Sequence, residues 1–515
     1  MGIHFSFLLL IPFLLILLFL GLTRPKNNKA KIQIPGPWKL PVLGNLHQLL
    51  AAARSSPPHH TLRELSLKYG PLMHLQIGEL STVVVSSPDM ARQIMKTHDL
   101  AFVQRPQITS AKIFAYGSTG IVFAPYGDYW RQMKKACILE LLSAKKVQSF
   151  SYVRQDEVSK LIGSVRSSVG SVVDLTDKIY SLTSAIVTKV AFGNEQEELL
   201  QPLHAAIEAG AYHFLDFFPS LKHVPLITAM EEAKLVKIHK KIDKILEDIL
   251  KENQKKQIRA AGGGGCEITG SGEENLVQVL LRIQQSGSLD ITITNDNIKA
   301  VIWDMFGAGT DTSSTTTEWA MLEMMRNPKV MKKAQTEIRK AFKGKKVIHE
   351  SDMEQVSYLK SVIKETLRLH PPAPLLVPRE CRENCKINGF DIPIKTQVVV
   401  NVWAIGRDPS HWYDAESFIP ERFQGDCNID FRGTNFEYIP FGAGRRMCPG
   451  ISFGLASIEL PLASLLYHFD WELPYGTKPE DLDLTEIRSI TARRKAKLCL
   501  IPKLYNIDPP CDGSS

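Results

Sequence analysis

One uninterrupted apolar run stands apart from the periodic patterning of the rest of the chain. Residues 5–22, FSFLLLIPFLLILLFLGL, contain no charged side chain over 18 positions, the lower limit for a helix that spans a membrane. Further on, apolar residues recur at three- and four-residue intervals over Leu235–Gln254, Thr294–Arg326, Lys329–Phe342, Gln355–Leu369 and Ile451–Phe469, which predicts long helices. Short runs rich in β-branched and large apolar residues predict strands: LMHLQIG at 72–78, STVVVSS at 81–87, and Gln397–Val402. Gln257–Glu274 holds AAGGGG and GSG and reads as a flexible surface loop between helices. The pattern predicts a mainly α fold with small β-sheets.

The flanks of the apolar run orient it. No Lys or Arg precedes it, whereas Arg24, Lys26, Lys29 and Lys31 follow, so the positive-inside rule keeps the downstream body in the cytosol. A cleaved signal peptide fits less well, because small residues for a cleavage site are missing after the run. IPGPWKLPVLGN, at 34–45, has three prolines that no helix interior tolerates, and reads as a stiff spacer. The expected organisation is an N-terminal transmembrane helix at 1–23, a basic, proline-rich spacer at 24–45 and one catalytic domain at 46–515. With 44% hydrophobic residues the 515-residue chain can bury a large core, which excludes a disordered protein. A net charge of +8 over that length is too dilute to imply nucleic acid, and suits a membrane surface or an acidic partner. The 8 cysteines are scattered, without paired CxxC clusters, so neither a disulfide framework nor a zinc site is expected.

Four segments carry chemistry. In FGAGRRMCPG, Phe441–Gly450, the glycines permit a tight backbone path and Pro449 opens an apolar helical run. Cys448 would then sit at a helix N-terminus, where the dipole favours thiolate, the form that ligates metal. Arg446 lies two residues before it, placed to pair with an anion beside the metal. The second segment, Ala308–Ser313 (AGTDTS), puts Gly309 inside a predicted helix, at a propensity cost of about 1 kcal/mol. Something flat must approach there, or the helix must open, with Thr310, Asp311 and Thr312 lining the gap. Third, Glu365 and Arg368 are i,i+3 neighbours on one helix face, with Arg422 later in PERF. Fourth, Tyr129–Lys135 (YWRQMKK) combines Trp130 with Lys134. Taken singly, each motif is more often a plain surface or core feature. Together they are not.

The combination resembles the cytochrome P450 family along essentially the whole chain. Phe441, Gly444, Arg446, Cys448 and Gly450 fill its haem-binding signature FxxGxRxCxG, and KETLRLHPPAPLLVPRE at 364–380 is similar to plant microsomal members devoted to specialised metabolism. The resemblance implies the cytochrome P450 fold and haem b held by the Cys448 thiolate, with Phe441 and Gly442 in the same haem-binding loop. It implies that Thr312 and Asp311 relay protons to dioxygen, and that Glu365, Arg368 and Arg422 form a structural charge triad. Trp130, Arg379 and Arg105, with Arg446, match positions that face the haem propionates. Lys134 stands where the family commonly has Arg, replacing a fork by a point charge. The implied electron donor is an NADPH-cytochrome P450 reductase, a flavoprotein docking on Lys134, Lys135 and Arg445. The resemblance places the protein in the endoplasmic reticulum membrane as a single-pass chain. Apolar pocket segments (Gln104–Val122, Ala211–Val224, Trp303–Thr312, Ala373–Val377 and Ile487–Thr491) imply a lipophilic substrate, with the aliphatic lining favouring a terpenoid over a phenolic or coumarin. Rival readings are a haem-thiolate isomerase or dehydratase working without dioxygen, and a non-catalytic haem carrier or sensor.

Overall fold

A computed structural model describes residues 33–53, 56–210, 212–261 and 274–505. The expected membrane anchor at 1–23, the basic half of the spacer, Ala211 and most of the glycine-rich stretch lie outside the described residues. The helices that position the site are α1 (Pro58–Tyr69), α2 (Thr109–Phe114), α3 (Asp128–Ala136), α4 (Leu175–Phe192), α5 (Pro225–Ala261), α6 (Asn295–Arg326), α7 (Ser357–Leu369) and α8 (Ile451–His468). The main sheet runs in the order β1 (Leu72–Ile77), β2 (Leu80–Val85), β4 (Gln397–Val400), β3 (Arg379–Glu380). β2 and β4 pair in parallel, Val83 opposite Val398, and the other two pairings are antiparallel.

α6 is the axis of the molecule. Thr294 caps it by accepting from Asn297 N–H at 3.3 Å, while Asn297 Oδ1 accepts from Thr294 N–H at 2.9 Å. Asn327-Pro328 ends it, since a proline disfavours helical geometry in the residue before it. At 32 residues it runs about 48 Å. Its second half, Trp319 to Met325, is buried in one apolar core with α4, α7 and α8; its first half joins a second core with α5. α8 is the one described helix apolar enough to cross a membrane by composition, and here it is a core helix, with Ser457–His468 buried.

Most predicted helices and strands appear within a few residues of their expected ends, with two differences. α5, predicted over Leu235–Gln254, starts ten residues earlier at Pro225 and extends to Ala261, so helix also replaces the expected loop over Gln257–Ala261: Gln, Ile, Arg and Ala are adequate helix formers, and the glycines begin only at Gly262. α6 remains continuous through Gly309, where an opening or a flat ligand was expected. A Cβ at Gly309 would sit 3.1 Å from Val187 of α4 and 3.6 Å from Phe453, so the glycine lets helices approach. The described part of the spacer lies along β1: His74 N–H donates to the Pro35 carbonyl at 2.8 Å, and buried Asn45 reaches Pro37, Trp38 and Gln76.

A buried charge node fixes the path toward Cys448. Glu365, wholly buried on α7, takes two bonds of 2.7 Å from Arg368 and one of 3.1 Å from Arg422. Arg368 also donates to the carbonyls of Ala415 and Ser417, and Arg422 to those of Tyr413 and Asp414. Truncating Glu365 would strand two buried guanidiniums, at a cost of about 3–5 kcal/mol. Glu365→Ala is therefore expected to yield little folded protein and a markedly lower melting temperature in calorimetry. An unchanged melting temperature sinks the claim that this node organises the fold.

Candidate haem-thiolate site

The loop Phe441–Gly450 is closed by Cys448 N–H donating to the Phe441 carbonyl at 3.0 Å, with Phe441 edge-on to Phe431 at 5.3 Å. Gly442 and Gly444 both adopt φ of 70°, the left-handed region. At Gly444 a Cβ would fall 2.2 Å from the Met95 carbonyl oxygen and 2.6 Å from Asp99, so no other residue fits. The helix after the loop begins at Ile451, the predicted start, two residues after Pro449. Burial raises the Cys448 thiol pKa, outweighing the Gly450 amide and nearby Lys134, so the helix terminus does not by itself deliver a thiolate. Metal coordination does so outright.

Cys448 is nonetheless an exposed residue, although protein surrounds it closely enough to shift its thiol. Ala308 is likewise exposed midway along α6, whose neighbouring turns are buried. Phe453, at the start of α8 just beyond the thiol, would lie 3.6 Å from a Cβ on Gly309 of α6, so the cysteine loop leads directly into the helix start that packs on this stretch of α6. Thr312 Oγ1 donates to the Ala308 carbonyl at 2.6 Å, which leaves the oxygen's lone pairs free to accept. Asp311 is buried; one oxygen accepts from Thr491 Oγ1 and the other lies 3.5 Å from Arg493. Its carboxylate is thus held by the loop at 487–494, a partner set that sequence spacing did not expose.

The basic residues nominated beside the thiol converge. Arg446 donates to the carbonyls of Val103 at 2.9 Å and Ala124 at 2.6 Å, and its guanidinium lies 4.1 Å from the Trp130 ring centre. Arg105 donates to the Val122 carbonyl at 3.1 Å and to those of Val377 and Pro378. Arg379 spans Asp99 at 2.8 Å and the Ala443 carbonyl at 2.6 Å. Lys134 Nζ turns to the Arg445 and Met447 carbonyls, and Trp130 Nε1 donates to the Ile121 carbonyl at 2.9 Å. Among the described residues bonded to this cluster Asp99 is the only carboxylate, and Arg379 shares it with Arg445. Burial and then the neighbouring Arg446 push Lys134 down to about 8. Burial, then Arg446 and Arg379, lower Arg105. Such an excess of buried positive charge fits a group carrying carboxylates, and an exposed thiol within the same enclosure fits its metal. Haem has both.

One site carboxylate went unnoticed in the sequence. Asp304, in WDMF one turn before Ala308, is buried and accepts from Val122 N–H at 2.9 Å. A Cβ on Gly120 would lie 2.2 Å from its Oδ2, so the 120–122 strap can approach α6 only through a glycine. A carboxylate among apolar neighbours was the available signal.

The comparisons agree with this geometry. The family model described as Cytochrome P450 matches residues 34–500. Premnaspirodiene oxygenase of Hyoscyamus muticus is 53% identical over 97% of this chain and 98% of its own. Desmethyl-deoxy-podophyllotoxin synthase of Sinopodophyllum hexandrum is 54% identical over 97% of each. 5-epiaristolochene 1,3-dihydroxylase of Nicotiana tabacum is 52% identical over 96% of this chain and 97% of its own. A zebra fish cytochrome P450 solved with progesterone shares the fold, with a TM-score of 0.73 at 23% identity, over 87% of this chain and 99% of that one.

Asp304 generates a pH prediction. Burial, opposed by the Val122 and Ile121 amides, raises its pKa from 3.8 to about 7. A folded pKa above the unfolded one means stability that is fully present below about pH 4 and lost as pH rises through about 7. The melting temperature of wild type relative to Asp304→Asn is therefore expected to fall between about pH 4 and 7 and to level off above that. A pH-independent difference in differential scanning fluorimetry would contradict the assignment.

Proposed function

The chain belongs to the cytochrome P450 family as a haem-thiolate monooxygenase, and within that family we propose that it oxidises a lipophilic plant terpenoid. One observation carries the substrate class. Three hydroxyls of the Gln104–Val122 segment are engaged within the protein: Thr109 donates to Asp216 at 2.7 Å, Ser110 to the Gly210 carbonyl at 3.1 Å, and Thr119 to the Tyr116 carbonyl at 3.1 Å; the buried Ser118 hydroxyl has no such partner and is left for a single substrate oxygen. Partly exposed aliphatic side chains remain at Ala373, Leu375, Leu376 and Val377. Leu376 adopts φ of 52°, uncommon for a leucine, and its Cδ1 would lie 3.6 Å from a Cβ on Gly442 of the cysteine loop. Ile302 and Phe306, also expected in the lining, are buried in the α5–α6 core, because they occupy the opposite side of α6 from Ala308. Each phenol hydroxyl buried here unpaired would cost about 1–3 kcal/mol, whereas a hydrocarbon skeleton loses nothing. The premnaspirodiene and 5-epiaristolochene enzymes, whose named substrates are terpenoids, support this reading; the podophyllotoxin-type relative keeps the phenolic alternative in the test.

Haem b supplies oxygen activation, using dioxygen and electrons that a flavoprotein reductase draws from NADPH. Our reading assigns the protein's own groups as follows. Cys448 is the metal ligand, and Arg446, Arg379, Arg105, Lys134 and Trp130 form the electrostatic and steric frame for the haem carboxylates. Phe441 and Gly442 shape the turn that presents the thiol. The Thr312 oxygen accepts a proton-bearing group at the α6 face, while Asp311, clamped by Thr491 and Arg493, is a positioning residue. Glu365, Arg368 and Arg422 are structural. Reductase docking would use exposed Lys135 and Arg445; Lys134 is withdrawn from that surface, its ammonium spent on two carbonyls. The apolar run at 5–22 and the basic residues after it support a single-pass anchor in the endoplasmic reticulum membrane, with the body facing the cytosol.

Substrate-induced spectral titration of terpene and of coumarin or flavonoid panels tests the substrate class. Tight binding and NADPH-dependent turnover are expected in the terpene panel, and their confinement to phenolics would overturn it. Thr312→Ala is expected to retain haem and substrate binding but to yield roughly tenfold less product per NADPH, with hydrogen peroxide in its place. Unchanged coupling would remove Thr312 from proton delivery.

A further inference from the structure

Away from the haem-binding loop, three buried lone pairs point at one place. His59 Nε2, His60 Nε2 and Glu486 Oε2 lie within 4.8 Å of one another, and none has a hydrogen bond. His59 Nε2 and Glu486 Oε2 are 2.9 Å apart, an ion-pair distance, but off the line a hydrogen bond needs. The rings are held in advance. His60 stacks on Trp403, with centroids 4.0 Å apart and an interplanar angle of 22°. His59 stands edge-on to His60 at 4.7 Å and to Trp403 at 5.2 Å, and its carbonyl accepts from Asn401 at 2.8 Å. Orphaned buried polar atoms are few in native folds, and each needs its own reason. With both imidazoles neutral and protonated at Nδ1, the three atoms are all acceptors, and the partner they then have in common is a cation.

The surrounding charges do not fill that role. Arg63 and Arg407 both engage Glu416, at 2.7 and 3.1 Å, and His370 pairs with Glu323 at 2.8 Å.

We propose that His59, His60 and Glu486 form a binding site for a divalent transition metal, with two imidazoles and one carboxylate suited to Zn2+ and water as the fourth ligand. Tetrahedral zinc with bonds of about 2.0–2.1 Å sets its ligand atoms roughly 3.4 Å apart, so separations that reach up to 4.8 Å must close by as much as about 1.4 Å while the 2.9 Å His59–Glu486 pair opens by about 0.5 Å. Glu486 can supply that movement because it lies on a loop. It begins the hairpin whose base is the Glu486–Arg494 bridge and whose Thr491 holds Asp311. The metal would fasten that hairpin to the first turn of α1, a positional role with no chemistry of its own.

The test uses full-length, haem-loaded protein in detergent, equilibrated with Zn2+ and then dialysed against metal-free buffer. Wild type is expected to retain one zinc per haem, and the His60→Gln/Glu486→Gln double variant at least tenfold less, while its reduced carbon monoxide spectrum still shows bound haem. X-ray absorption at the zinc edge of wild type should show nitrogen and oxygen ligands at about 2.0–2.1 Å. No retained zinc in wild type, equal retention in both proteins, or a sulfur shell at about 2.3 Å from the cysteines each overturns the proposal. Should the double variant not fold, the absorption spectrum of wild type decides alone.

Discussion

The structure depends first on a single carboxylate. Glu365 binds two guanidiniums inside the core, and these reach out to the backbone carbonyls of 413–417. That stretch has almost no regular structure, and the two guanidiniums supply hydrogen bonds that no helix or strand provides there. The chain can therefore run irregularly between α7 and the cysteine loop and still hold one path. Tyr438, just before the loop, donates to the Lys364 carbonyl at 2.8 Å, returning to the residue beside Glu365. The position of Cys448 is inherited from α7, not built locally.

A second constraint acts on α6. It must be long and closely packed on α4, yet leave Ala308 exposed midway along its length. Small residues satisfy both demands: Gly309 admits Val187 of α4, while Ala308 covers little of the surface around it. The glycine that looked like an opening in the helix is a packing device, and this is why the motif costs the helix little continuity.

Local signals carried much of this into the sequence. The 3.6-residue periodicity placed α6, α7 and α8 within about two residues, because their apolar faces meet cores on several sides. Cys448, Thr312 and the basic residues were legible as motifs, since each needs a fixed spacing. Contacts between distant segments were not. That Asp311 would be held by Thr491, that Asp304 would anchor the 120–122 strap, and that Lys134 would turn inward all depend on which loops fold over α6 and α3. The thiol's acidity was misjudged for a related reason: proximity to a helix start is visible in a sequence, whereas the burial that outweighs it is not.

The crowd of cations around Asp99 has a consequence for the life of the protein in the cell. Arg105, Arg379, Arg446 and Lys134 repel one another within the fold; Asp99 offsets Arg379, and a bound group carrying carboxylates would offset the rest. A newly synthesised chain is consequently at its least stable before loading, and it is that form which proteases meet. Steady-state abundance should follow the tissue's output of porphyrin and iron as closely as it follows transcription, so that a shortage of either thins the enzyme without any change in its gene.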